Sequence, residues 1–238
     1  MLQNAGREVG PWPGKASGSR GTTPGVIGLL CLVLLAPPAP AQDRDQEIWI
    51  EQRFSYSLSQ KTFLRFRLFQ GANDNISHLF ETFVQMDFGL HVRPWLTLMP
   101  GFLHDRQDPF GRNSRFENRP QLTIFLHTRR GRWRPNLRLT VEGRFLQQGP
   151  GFVRFLSQPS VEYVLSTYKA RPLLLFLANE FAVDSRTSRF SRNRFQIGLS
   201  LPATEHFSII PYYMSESNRL PELWDHDNIW GLILGWHF

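Results

Sequence analysis

Arginines and carboxylates recur at alternate positions along most of this chain. The set comprises Glu51, Arg53, Arg65, Arg67, Glu81, Asp87, Glu117, Arg119, Arg134, Arg138, Glu142, Arg144, Arg154, Glu162, Glu180, Arg192 and Arg194. A guanidinium and a carboxylate form forked, charge-assisted hydrogen bonds. Such a set can therefore build an internal ion-pair network. Because it holds ten arginines against seven acids, it can also line a small passage that favours anions. Catalytic patterns are thin. The seven histidines (His78, His91, His104, His127, His206, His226 and His237) form no H-E-x-x-H, and G-x-S-x-G is absent. Asp225-His226-Asp227 offers at most weak cation ligation, and an exposed polar loop is the simpler reading. A lipid hydrolase needs serine and histidine together. Ser157 and His104 lie on well-separated stretches, with Ser157 on an apolar face. No catalytic residue, metal or cofactor is assigned, and the balance favours no enzymatic activity.

These charges sit on one side of period-two stretches, so strands must position them. Phe80, Thr82, Val84, Met86, Phe88, Leu90 and Val92 oppose Glu81, Gln85, Asp87 and His91. Trp133, Pro135, Leu137, Leu139, Val141 and Phe145 oppose Arg134, Asn136, Arg138, Thr140, Glu142 and Arg144. Eleven such stretches run from residue 47 to 238, and no long segment carries a helical period. With 238 residues there is room for one large all-β domain. A mean hydropathy of −0.30 excludes a bundle of membrane helices, and 13% aromatic content argues against disorder.

Residues 26–36 (VIGLLCLVLLA) have the length of a secretory h-region, preceded by Arg7, Lys15 and Arg20 and followed by Ala39-x-Ala41. Residues 1–41 are predicted to be a signal peptide cleaved before Gln42, leaving a domain over 42–238. Cleavage would remove Cys31, the one cysteine, and leave twenty-four cations against nineteen acids. Only three of the cations in the chain are lysines. A pI near 10.2 invites nucleic acid, but the cations are interleaved with carboxylates and form no single basic patch. No nucleic-acid partner is expected. Local clusters at 112–115 and 186–192 suit solvated loops or lipopolysaccharide phosphates.

Three features favour a transmembrane barrel over a soluble periplasmic sandwich or lipocalin-like binding protein. Short connections alternate with longer polar ones near 71–77, 105–114, 147–151, 184–191 and 215–227, as in barrels with short periplasmic turns and long extracellular loops. Strands of ten residues or more carry Trp95, Trp133, Tyr163, Tyr213 and Trp230 near their ends. The chain closes on Trp230, Leu232, Leu234, Trp236 and Phe238, alternating as an assembly signal read by the outer-membrane assembly machinery would. The expected fold is a single antiparallel up-and-down transmembrane β-barrel of 10–12 strands in the outer membrane, facing its lipids and lipopolysaccharide. An odd count would start the 47–57 segment on the wrong side, so either that segment is doubtful as a full strand or another stretch hides or merges one. The expected role is a small solute channel or a structural barrel, with a lipid- or lipopolysaccharide-modifying enzyme as the alternative. Oligomeric state and solute are not legible.

Gln46-Glu47-Ile48-Trp49-Ile50-Glu51, Arg65-Phe66-Arg67, Arg192-Asn193-Arg194-Phe195-Gln196-Ile197-Gly198-Leu199 and the Gly-rich final strand carry a resemblance. The chain resembles a bacterial outer-membrane family catalogued as domain of unknown function 2490. That resemblance implies a barrel and outer-membrane placement, and carries no catalytic residues.

Overall fold

The computed structural model describes residues 46–73, 77–108, 114–168, 171–187, 189–219 and 224–238. The signal segment and cleavage site expected over 1–41 lie outside them, as do Arg112 and Asn113. Eleven strands follow one another: β1 (Gln46–Ser57), β2 (Thr62–Asn73), β3 (His78–Arg93), β4 (Leu96–Gln107), β5 (Arg115–His127), β6 (Trp133–Leu146), β7 (Phe152–Tyr168), β8 (Arg171–Asp184), β9 (Arg189–Pro202), β10 (Phe207–Arg219) and β11 (Trp224–His237). Each pairs antiparallel with its chain neighbour, and the sheet closes into a barrel. The doubtful first segment is a full strand of the wall.

Closure departs from the all-antiparallel expectation. Strands that alternate in direction leave the first and eleventh running the same way, so β1 and β11 close the wall in parallel, with Ile50 beside Leu232 and Phe54 beside Trp236. Parallel pairing is slightly weaker per residue, and this seam is reinforced. The Phe54 and Trp236 rings stack at 4.8 Å. The terminal Phe238 exchanges backbone bonds with β1, its N–H donating to Ser55 O and its carbonyl accepting from Ser57 N–H, both at 2.9 Å. The odd count also sets β1's start and β11's end on opposite rims. We call these the N-terminal and C-terminal rims.

The connections differ in length less than the sequence suggested. At the N-terminal rim they cover 74–77, 108–114, 147–151, 185–188 and 220–223; at the other they cover 58–61, 94–95, 128–132, 169–170 and 203–206. Much of what reads as long polar loop is strand. Asp225-His226-Asp227 accordingly lies on β11, where His226 Nδ1 is 2.8 Å from Ser217 Oγ of β10. Some outer-face residues in the half of the wall toward the N-terminal rim are polar and hydrogen-bond across strands. His104 Nδ1 is 2.8 Å from Asn118 Oδ1, Asn193 donates to Asn179 at 2.8 Å, and Tyr213 OH donates to Asn228 at 2.6 Å. On β10 and β11 backbone hydrogen bonding carries the pairing past the apolar alternation, whereas Leu79, Phe116, Phe145, Val153 and Val183 keep the outer face of other strands apolar toward the same rim.

Candidate functional site: the ion-paired lumen

Burial is inverted relative to a soluble barrel. Met86 and Phe145 are each 59% exposed on the outer wall, whereas Asp87 is 1% and Asp105 0% exposed inside. Period two imposes this arrangement, since a strand in a closed wall shows one residue set to the interior and the other to the exterior. On the outer face of β11, Trp230, Leu232, Leu234 and Trp236 face away from the lumen, and Trp230 packs on Tyr213 at 5.2 Å. Trp95, Trp133 and Tyr168 are exposed near the C-terminal rim, where Trp133 meets Tyr163 at 4.7 Å.

Inside, the charges form networks. Glu51 accepts from Arg53 and, through both oxygens, from Arg67 (2.9 and 2.5 Å). Arg67 continues to Gln85, Gln85 to Asp87, and Asp87 accepts from Arg65 at 2.7 Å and from Gln121 at 3.0 Å. A second network joins β4, β5 and β6. Arg119 bridges Asp105 (2.5 Å) and Glu117 (2.8 Å), and Glu117 also takes Arg144 in a forked pair. A third places Arg154 on Asp184 (2.5 and 3.0 Å), with Glu142 at 3.9 Å. In the fourth, Glu180 accepts from Arg138 (2.7 Å) and Arg192 (2.9 Å), with Arg194 at 3.7 Å, while Arg194 also pairs with Glu216.

Most pairs join neighbouring strands. Others cross more of the lumen: Arg138 on β6 passes β7 to reach Glu180 on β8. Arg194 on β9 lies 4.9 Å over the Trp49 ring of β1, although β10 and β11 stand between. Fourteen of the seventeen sequence-selected residues thus enter ion pairs. The other three do not form one within 4 Å among the described residues. Arg134 and Glu162 face each other across β6 and β7, and Glu81 sits opposite Gln107 near the N-terminal rim.

The sequence reading missed four interior acids, Glu47, Asp105, Asp184 and Glu216, all buried. Their stretches read as loops or strand ends in the sequence. With them the acids of the set number eleven against ten arginines, so among these described residues the apparent arginine surplus disappears. It also missed interior aromatics. Phe69 stacks on Phe83 at 4.5 Å and meets Trp49 edge-on at 5.1 Å, and Arg67 lies 5.3 Å from the Phe83 ring. The Trp49-Glu51-Arg53 run, an aromatic in step with charges, is the signal that marks such residues as interior.

Ser157 and His104 do not meet. Ser157 stands on the outer face of β7 opposite Leu139 and Phe181, and His104 on that of β4, with β5 and β6 between. His104 faces Asn118 and stacks on Phe116 at 5.8 Å.

A closed eleven-strand barrel with a charged, ion-paired interior and an apolar exterior defines the class of protein. A family model matches residues 46–226, and the chain belongs to that family, described as protein of unknown function (DUF2490). No curated protein and no solved structure matches the chain.

Proposed function

We propose that this chain is an exported outer-membrane β-barrel whose lumen is packed with ion pairs, so that it serves as a structural barrel or a narrow solute passage. The inside-out burial carries the reading. An arginine facing hydrocarbon costs about 2–4 kcal/mol at the bilayer midplane, and the interior charges pair with one another while Ile50, Leu64, Met86, Leu122, Val141 and Ile197 stand exposed outside. A water-soluble barrel would place these sets the other way round. The outer apolar stretch from Val84 to Val92 matches the roughly 9–11 residues a tilted strand needs to cross a bilayer. On this reading the aromatic residues at its edge meet lipid headgroups, the polar outer ends of β10 and β11 project into the lipopolysaccharide layer, and Trp230, Leu232, Leu234, Trp236 and Phe238 are what the assembly machinery recognises.

The test is fractionation with heat-modifiable gel migration. The full chain, expressed with its export segment in a Gram-negative host, should partition with outer membranes and migrate faster unheated than boiled. Recovery in the soluble periplasmic fraction would overturn the proposal.

A further inference from the structure

Three guanidiniums converge on one aromatic ring at the N-terminal mouth of the lumen. Phe152, at the start of β7, has the Cζ of Arg186 4.5 Å from its centroid, that of Arg144 at 5.1 Å and that of Arg154 at 5.8 Å. Like charges gathered this closely repel one another, and cation–π attraction offsets only part of that. Two of the three are neutralised: Arg144 by Glu117 and Arg154 by Asp184. Arg186, in the β8–β9 connection, makes no ion pair with a carboxylate among the described residues.

Beside this cluster lies a cleft of about 330 Å³ between β4, β5 and β6, lined in part by Gln107, Arg115, Glu117, Arg144, Gln147 and Gln148. That is the small end of ligand pockets, which run from roughly 300 to 1,000 Å³. Arg115 likewise has no ion-paired carboxylate among the described residues. Arg144 links the two features. It spends Nε and Nη2 on Glu117, lies over Phe152 and lines the cleft, leaving Nη1 directed to neither Glu117 oxygen. The arc thus holds four guanidiniums against three carboxylates, Glu117, Asp184 and Glu142, with side-chain amides alongside. Among the described residues no carboxylate pairs with Arg115 or Arg186, which leaves both open to an external anion.

We propose that this mouth binds a phosphate-bearing anion, held between the uncompensated Arg186 and Arg115 with Arg144 between them. Planar guanidinium donors match phosphate oxygens in pairs, and the cleft accommodates a single phosphorylated group. Two sources share that chemistry: a soluble phosphate ester entering the mouth, or a phosphorylated saccharide of a surrounding lipid. The inference rests on the closed wall and not on membrane placement.

Calorimetric titration of the full chain in detergent tests it, with inorganic phosphate, a hexose phosphate, neutral hexose and lipopolysaccharide as separate probes. At least one phosphate-bearing probe should bind and neutral hexose should not. The double variant Arg115→Ser/Arg186→Ser should weaken that binding about ten-fold or more, a loss of about 1.4 kcal/mol. Lys61→Ser, at the opposite rim, should leave it unchanged. Binding by the soluble probes identifies a solute site, and binding by lipopolysaccharide alone identifies a lipid source. No binding by any phosphate-bearing probe, or binding indifferent to the double variant, would overturn the proposal. The variant breaks no ion pair among the described residues, and heat-modifiable migration of each sample verifies the barrel independently of the titration.

Discussion

Glu180 is the residue on which most interior charge depends. Its carboxylate, 4% exposed, receives Arg138 and Arg192 directly and has Arg194 at 3.7 Å. Removing one partner of a buried pair strands the other charge, typically at about 3–5 kcal/mol. Glu180→Ala is therefore expected to lower unfolding stability by about that much, read from urea unfolding of the detergent-folded protein by tryptophan fluorescence. Glu205→Ala, in an exposed connection, should stay near wild type. Gly101 bears on another network by sterics alone. A Cβ there would stand 2.1 Å from Asp87 Oδ1 and 2.9 Å from the Met86 carbonyl oxygen. The side chain must move and the backbone contact remains tight, so Asp87 is drawn away from Arg65. Gly101→Ala should cost about 1–3 kcal/mol as an overpacked site, measured in the same titration. A wild-type midpoint would mean that β3 and β4 are not so closely apposed.

At the scale of elements the closing seam is the most informative feature. Neighbouring strands lie about 4.8 Å apart, and the register sets Ile50 beside Leu232 on the outer face. In a Cys31→Ser background, Ile50→Cys with Leu232→Cys is expected to crosslink efficiently under a short thiol reagent, giving a shifted band on denaturing gels. Ile50→Cys with Trp236→Cys, four residues out of register, should crosslink poorly. Equal crosslinking of both pairs would contradict the parallel closure. The sequence left this region open because period two assigns a face to each residue without assigning a neighbour. A strand count of eleven forces parallel closure only if all eleven lie in one wall. The polar outer patch of β10 and β11 escaped for a related reason: their pairing at the N-terminal rim outlasts the apolar pattern, so Ser217 and His226 read as loop although they stand on strands.

For the whole molecule, the balance of interior charge decides what a passage could conduct. Among the described residues the interior acids and arginines named above nearly balance and most are paired, which leaves little fixed charge to select an anion. Planar-bilayer recordings of the inserted protein are therefore expected to show low conductance without clear anion preference. A large, strongly anion-selective current would mean that the ion-pair networks open in the membrane. The site legible in advance was the set of inward charges. Which of them meet was not, since Arg138 reaches Glu180 across an intervening strand and Arg194 reaches Trp49 across two. Such distances along the wall leave no local trace in the chain.

By itself the sequence determined that the chain is all-β, that eleven stretches alternate, and that charged and apolar residues occupy opposite faces. Alternation follows from the geometry of a single strand, so it can be read without knowing the neighbours. The tertiary structure alone decided the parallel seam, the length of the strands beyond their apolar portions, the partner of each arginine and the inward burial of Glu47, Asp105, Asp184 and Glu216. It also decided the gathering of Arg144, Arg154 and Arg186 around Phe152. Each of these depends on register and closure, which bring distant residues together only once the wall has closed on itself.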